Sequence, residues 1–340
     1  MSVATENKES SLAPPLARVN QLQPIIELLQ SQSLPWDKIL KRAQLPASVM
    51  DKPNALIPEV CIREVISLTG EFMDVENIGF YIGQNIPRLP PLTFDNQAKT
   101  VAKALESFCH HMHLYASNTD FSLHAETGGA WFCRVDPLKI SATTITFEQY
   151  MTAAFIRVVQ SLSANDNWKP SQVRFSYVGP DNIKGFNEKD SQMFFEADHT
   201  AIFIDNKTLL SPVNQDYLKQ NPVFGLMDNL DEKDVIDGIE EIFCTYLEDE
   251  VISGDFVSSA MLSTPRQLQR QLEKQGTTFR KIRNNLLYRE ARIMLADKNK
   301  SISEITNILG YSDATNFVRA FSTWSGYSPG YYREHYLKRT

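Results

Sequence analysis

The sequence has little cysteine, and none of it is paired in a motif: Cys61, Cys109, Cys133 and Cys244 lie far apart with no CxxC. That spacing fits a reducing compartment better than a disulfide framework. No run of roughly eighteen apolar residues occurs, so no membrane-crossing helix is expected. The opening segment, MSVATENKESSLAPPLARVN, lacks the basic and apolar regions of a signal peptide. Residues 1–18 are accordingly read as a disordered leader on a cytoplasmic protein. Also missing are a GxSxG elbow, an HExxH pair and a GxxxxGK[ST] loop, which removes the commonest hydrolytic and nucleotide-binding chemistries. The expectation is a chain that is not an enzyme and holds no cofactor.

What is present is 340 residues, enough for two domains, with 42% hydrophobic and 22% charged residues. The net charge of -7 is unevenly placed. From Asp255 onward fourteen Lys and Arg stand against seven Asp and Glu; subtracted from totals of 34 and 41, this leaves 20 and 34 before it. A basic tail on an acidic body is what a nucleic-acid-binding module joined to a different domain would show.

Apolar periodicity divides the chain further. LQPIIELLQ, WDKILKRAQL and PEVCIREVISLTGEFM repeat apolar residues three and four apart, as helices do. IPRLPPLTF, with three prolines, interrupts them, and NQAKTVAKALESFCHHMHLYA is helical again. FSLHAETGGAWFCRVDP and ISATTITFEQ alternate around a Gly-Gly turn and are read as a hairpin. A helix from Tyr150 to Leu162 and strands at Gln172–Tyr177 and Ala201–Asp205 follow. The expected architecture is an α+β domain, helices plus a mixed or antiparallel sheet, over residues 19–215. A linker at 216–232 then leads to an all-α domain at 233–340.

The all-α part carries two helix-turn-helix units, at 253–275 and 301–324, joined by a helix at 279–296. In the second unit Ser301 and Glu304 form a capping box, and Ile302, Ile305, Ile308 and Leu309 form the apolar stripe of the helix they open. Gly310 supplies the left-handed turn, and Ser312 is positioned to cap the next helix. That helix buries Phe317, Ala320, Phe321 and Trp324 and presents Ala314, Thr315, Asn316 and Arg319. In the first unit Thr264, Pro265 and Gln267 start a helix that buries Leu268 and Leu272 and exposes Arg266, Gln269, Arg270 and Lys274. Its turn carries Leu262-Ser263 where a glycine would be usual. Helix, turn and capped second helix is the geometry that lays a recognition helix in the major groove. Arg reads guanine and Gln reads adenine bidentately there. Arg280, Lys281 and Arg283 on the joining helix suit phosphates, as do Thr264, Lys274 and Ser312 at the helix ends.

TPRQLQR, RIMLA, SISEIT, LGYSDATNFVRAFSTWSGYSP and the closing YR together resemble the AraC/XylS family of bacterial transcriptional regulators across the C-terminal eighty or so residues. The resemblance implies base contacts from Arg266, Gln269 and Arg270 and from Ala314, Thr315, Asn316 and Arg319. It implies promoter DNA and RNA polymerase as partners. IGFYIGQNI, WKPSQVRFSYVGP and FFEADHTAIFIDNKTLLSPV resemble the arabinose-binding-type sensor domain of the ornithine-regulator-like subgroup. That implies a small-molecule effector, pairing with a second copy of the chain as a homodimer, or both. The alternative is effector-independent DNA binding, with the first domain serving dimerisation or partner contacts only.

Two constellations remain. In CHHMH, His110 and His113 share a helical face with Cys109 beside it, a candidate metal set. Without a second cluster, inward packing of Cys109 and Met112 is the preferred reading and no metal is expected. Among the sensor aromatics, most are read as core; Trp131 and Tyr150, each pairing a ring with a polar tip, are the candidates for effector contact.

Overall fold

The computed structural model describes residues 15–117, 119–135, 142–179, 191–222, 229–230, 233–247, 253–261 and 263–335. The chain divides into two units, with Pro15–Glu232 in one and the chain from Lys233 onward in the other.

In chain order the first unit contains β1 (Leu16–Arg18), α1 (Gln23–Ser31), α2 (Trp36–Arg42), β2 (Leu56–Pro58), α3 (Glu59–Thr69), α4 (Ile78–Asn85) and α5 (Val101–His111). There follow β3 (Asp120–Glu126), β4 (Gly129–Val135), α6 (Ala142–Ser163), β5 (Gln172–Arg174), β6 (Gln192–Phe194), β7 (Thr200–Asp205), α7 (Asn206–Leu209) and α8 (Gln215–Gln220). The sheet runs β3-β4-β7-β5-β6, antiparallel except for the β5–β6 pair. Strand alternation sends Ala130, Phe132 and Arg134 to one face and Trp131 and Cys133 to the other. The first face meets α5 and α6 in a core where Phe132 lies 4.7 Å from Phe155 and 5.5 Å from Phe108 between ring centres. Helix α4 lies hard against α6 because Gly79 and Gly83 face it. A Cβ on Gly79 would come within 2.0 Å of the Thr146 carbonyl, and one on Gly83 within 2.8 Å of that of Tyr150.

Several sequence expectations need correction. The leader does not extend to residue 18: Leu16–Arg18 is a buried strand paired with β2 (1–14 lie outside the described residues). Its polar start hid Leu16, Ala17 and an Arg18 side chain whose Nε donates to the Leu114 carbonyl at 2.7 Å. The alternating segment ISATTITFEQ is not a strand from Ala142 on; it is the first part of α6, which spans 22 residues. The expected linker begins with α8, whose Leu218 is completely buried, so 216–220 belong to the first unit. The strand expected at Gln172–Tyr177 is also shorter, ending at Arg174.

The second unit is helical: α9 (Val235–Tyr246), α10 (Gly254–Ala260), α11 (Pro265–Lys274), α12 (Phe279–Ala296), α13 (Ile302–Ile308), α14 (Ala314–Ser325) and α15 (Pro329–His335). Helix α9 opens with an Asp234–Asp237 capping box and buries Val235, Ile239, Ile242, Phe243 and Tyr246. Among the described residues no helix is long and apolar enough to cross a membrane.

Candidate nucleic-acid interface and sensor cavity

Helix α11 begins where the Gln267 amide donates to Thr264 Oγ1 at 3.2 Å and the Thr264 amide donates back to Gln267 Oε1 at 2.9 Å. Pro265 fits the first helical position without loss, because the N–H it lacks is one that a helix start leaves unused. With Leu268 and Leu272 buried beneath it, the helix presents Arg266, Gln269, Arg270 and Lys274 to solvent. Gln269 lies along the surface, donating to Glu273 Oε1 at 2.8 Å. The preceding turn closes without glycine: α10 ends at Met261 with φ -89°, and the Ser263 amide reaches the Ser258 carbonyl at 2.8 Å. Leu262 lies outside the described residues.

Helix α12, capped by Thr278, has 18 residues, or ~27 Å at 1.5 Å per residue. Ile282, Leu286, Leu287, Ala291 and Leu295 are its buried side; Arg280 and Lys281 are exposed and Arg283 is half-buried.

Ser301 and Glu304 form the reciprocal cap of α13, at 3.1 and 2.6 Å. The Ser301 amide holds the Glu304 carboxyl below its usual range, so this cap is intact at neutral pH and is lost as pH falls through that lowered value. The helix buries Ile305, Thr306 and Leu309, while Ile302 and Ile308 are only half-buried. It ends at Gly310, φ +72°, with the Tyr311 amide on the Thr306 carbonyl and the Gly310 amide on that of Asn307. This left-handed closure is cheap only for glycine.

The cap of α14 differs from the sequence expectation. Asp313, not Ser312, takes that place: its Oδ1 accepts from the Asn316 amide at 2.8 Å, and its Oδ2 accepts from the Asn316 side chain at 2.6 Å. A cap must stand directly before the first helical residue, here Ala314, and Ser312 is one position too early. Its hydroxyl donates to Asp313 instead. Ala314, Thr315, Asn316 and Arg319 are exposed; Phe317 and Phe321 are fully buried, and Ala320 and Trp324 half-buried. Phe321 packs on Tyr288 at 5.6 Å and on Tyr332 at 5.3 Å. The closing Tyr-Arg pair of the sequence motif is thus structural. Arg333 donates to the carbonyls of Leu295 (3.1 Å) and Lys300 (2.7 Å), tying α15 to the end of α12.

In the first unit a cavity of about 70 Å³ lies between α6, α5 and the sheet. One water needs only ~10–15 Å³ of such space. Leu89, Leu92, Phe108, Phe121, Phe155 and Val158 make it apolar; Glu59, Arg134 and Tyr150 supply polar groups. Tyr150, one of the two expected effector contacts, therefore lies at the cavity wall. Trp131 does not: it points to the opposite face of β4, where its Nε1 donates to Glu126 Oε2 at 2.6 Å and the Arg174 guanidinium covers its ring at 3.8 Å.

The cavity borders a charge cluster that sequence reasoning missed. Arg134 donates to Glu148 Oε1 at 2.5 Å and to Glu59 Oε1 at 3.2 Å, and Arg63 donates to the same Glu59 oxygen at 2.9 Å. The Phe147 ring lies 4.4 Å from the Arg63 guanidinium carbon and 5.0 Å from that of Arg134. A signal existed: Arg134 shares strand parity with Ala130 and Phe132, so an arginine occupies a core-facing position.

Cys109, His110 and His113 do not converge as ligands. Cys109 packs against the core, where burial pushes its thiol up to about 12; His110 is exposed, and α5 ends at His111, before His113. Among the described residues no group of three or more His, Cys, Asp or Glu could hold a metal ion.

A pair of capped helix-turn-helix units joined through α12 defines a helix-turn-helix DNA-binding protein with an attached α+β domain. Comparison with known proteins agrees. Residues 257–335 match the helix-turn-helix domain family, and residues 34–213 match the N-terminal arabinose-binding domain of AraC transcription regulators. The chain belongs to the AraC family of transcriptional regulators. It is similar to the ornithine utilization regulator of Pseudomonas aeruginosa, 19% identical over 94% of this chain and 96% of that one. The transcriptional activator PerA of Escherichia coli is 25% identical over 34% of this chain and 42% of its own. The crystal structure of the transcriptional regulator CdpR from Pseudomonas aeruginosa superposes over 93% of this chain and 98% of its own, with 17% identity and a TM-score of 0.43.

Proposed function

We propose that this protein is an effector-responsive activator that reads two adjacent major-groove segments of promoter DNA with α11 and α14. The observation that carries the reading is the division of both helices into a buried apolar side and an exposed side bearing groove-reading groups. Arg266, Gln269 and Arg270 read one segment. Thr315, Asn316 and Arg319 read the other, with Ala314 giving an apolar contact of the kind a thymine methyl accepts. Thr264, Lys274, Arg280, Lys281, Arg283 and Ser312 hold phosphates and fix the register. The sensor unit binds a small molecule in the cavity beside Tyr150 and pairs with a second copy. Activation proceeds through contact with RNA polymerase in the cytoplasm, on the nucleoid. The activator role is supported by the similarity to PerA, a transcriptional activator, and the effector by the domain type of residues 34–213. An effector shifts DNA binding only as far as it prefers the DNA-competent state.

Mapping binding sites across the genome, followed by footprinting, tests this reading. Protection of two adjacent major-groove segments on one side of the duplex is expected; a single segment, or no preferred sequence, overturns it. Lys281→Ala is expected to weaken specific and random DNA alike and to lower the salt slope by about one. Loss confined to the specific site would place Lys281 on a base instead.

A further inference from the structure

The pairing of this chain with a second copy, on which this inference rests, needs a surface, and the sheet supplies one. Strand β3 is an edge: among the described residues it has β4 on one side and no strand on the other. In an antiparallel ladder, successive residues turn their backbone groups to opposite sides. The Asn206 amide donates to the Gly128 carbonyl at 2.9 Å, one residue beyond the Gly129–Asp205 pair on each strand. That pair is therefore of the non-hydrogen-bonded kind. Gly129, Trp131 and Cys133 accordingly turn their backbone groups to Glu126, His124 and Ser122 of β3. Phe121, Leu123 and Ala125 are left with theirs turned outward, three N–H and three C=O groups that bond nothing among the described residues.

Exposed edges are ordinarily blunted by lysine, proline, a bulge or short length. Strand β3 has none of these: Asp120–Glu126 is seven residues long, contains no Lys, Arg or Pro, and pairs with β4 without interruption. The opposite edge, β6, has only three residues. The outward groups of β3 are also symmetric. Phe121 and Ala125 stand equally far on either side of Leu123, so a two-fold axis at Leu123 sets Phe121 against Ala125 of a second copy and satisfies every outward group of both. Charge permits this register. It places Asp120 opposite Glu126 of the second copy, but Glu126 is already held by Trp131 Nε1 at 2.6 Å and by the Arg174 guanidinium at 3.9 Å.

We propose that two copies of this protein join by antiparallel pairing of β3 with β3 about Leu123, so that their two five-stranded sheets become one. The half-buried Leu123 side chains meet at the axis on the core-facing side of the joined sheet. Ser122 of each copy meets His124 of the other on the opposite side, where both are at least partly exposed. An interface of this kind uses the same surface on both subunits and closes at two copies.

Sedimentation equilibrium of the full-length protein is expected to show a dimer. Ala125→Pro removes an outward N–H from each copy and none that bonds β4, so it should fold, as circular dichroism would show, and weaken the dimer at least about tenfold. A crosslink tests the register and decides the matter if that variant does not fold. Ser122 and His124 of the second copy would form a non-hydrogen-bonded pair, with Cα atoms ~4.5 Å apart and within reach of a disulfide. Both variants carry Cys244→Ser, which removes an exposed native thiol. On oxidation, a mixture of the Ser122→Cys and His124→Cys proteins should yield crosslinked dimer, and neither protein alone should. A mixture that does not crosslink, or a dimer that withstands a folded Ala125→Pro, overturns the edge pairing and leaves association through another surface standing. Crosslinking of either protein alone as strongly as the mixture overturns the register about Leu123. A monomer at every concentration overturns both the edge pairing and the association on which it rests.

Discussion

Arg134→Met is expected to destabilise the sensor unit by about 3–5 kcal/mol, the usual cost of removing one partner from a buried ion pair. Methionine fills a similar length of space, so little of the loss comes from packing. It comes from the carboxylates left behind. Glu148 would lose the 2.5 Å donor to its Oε1, and Glu59 would be left with Arg63 at 2.9 Å. Side chains that are 1% and 4% exposed cannot turn to water for compensation. The cluster spans α3, β4 and α6, so its failure would loosen the sheet from two helices. Urea unfolding of the full chain, followed by tryptophan fluorescence, gives the measurement, since Trp131 and Trp168 both report from this unit. Adding Glu148→Met should recover part of the loss, because the buried carboxylate that lost its arginine is then gone; double-mutant cycles read such a coupling directly. A single-mutant loss under about 1 kcal/mol would show that the cluster does not tie these elements together.

The DNA-binding half was legible in the sequence because its signals are local. Thr264 with Gln267, Ser301 with Glu304, and Gly310 after an apolar stripe each specify a helix end within a few residues, and each is found there. The one local misreading, Ser312 as cap in place of Asp313, turned on a shift of a single residue between two good capping side chains. The sensor half was harder because its determinants are distant in sequence. Strand β1 looks like leader until β2, at Leu56–Pro58, provides its partner. The start of α6 alternates like a strand, yet Thr144, Phe147, Glu148, Tyr150 and Thr152 are all buried, so the helix meets core on several sides and shows no single apolar stripe. Tyr150 stood out as a polar-tipped ring; Glu59 and Arg134 were missed because their pairing joins residues 75 apart.

The double substitution Arg270→Ala with Arg319→Ala should abolish specific recognition while leaving non-specific affinity largely in place. Each bidentate arginine contact is worth ~1–3 kcal/mol of discrimination, and the two arginines, on separate helices that flank the 18-residue α12 in the chain, should lose them independently. The pair together then costs about 2–6 kcal/mol, or roughly 30-fold to 10⁴-fold at the cognate site. Both positions are exposed on helices whose opposite sides are buried, so the protein itself should fold unchanged. Asn316→Ala should cost less than either arginine. Its amide already donates to Asp313 Oδ2 at 2.6 Å and to Ser312 Oγ at 3.4 Å, so a contact to adenine must displace one of these bonds. Competition binding against random duplex at fixed salt makes the distinction. Equal losses on cognate and random DNA would assign both arginines to phosphates, and α11 and α14 would then not be the reading helices.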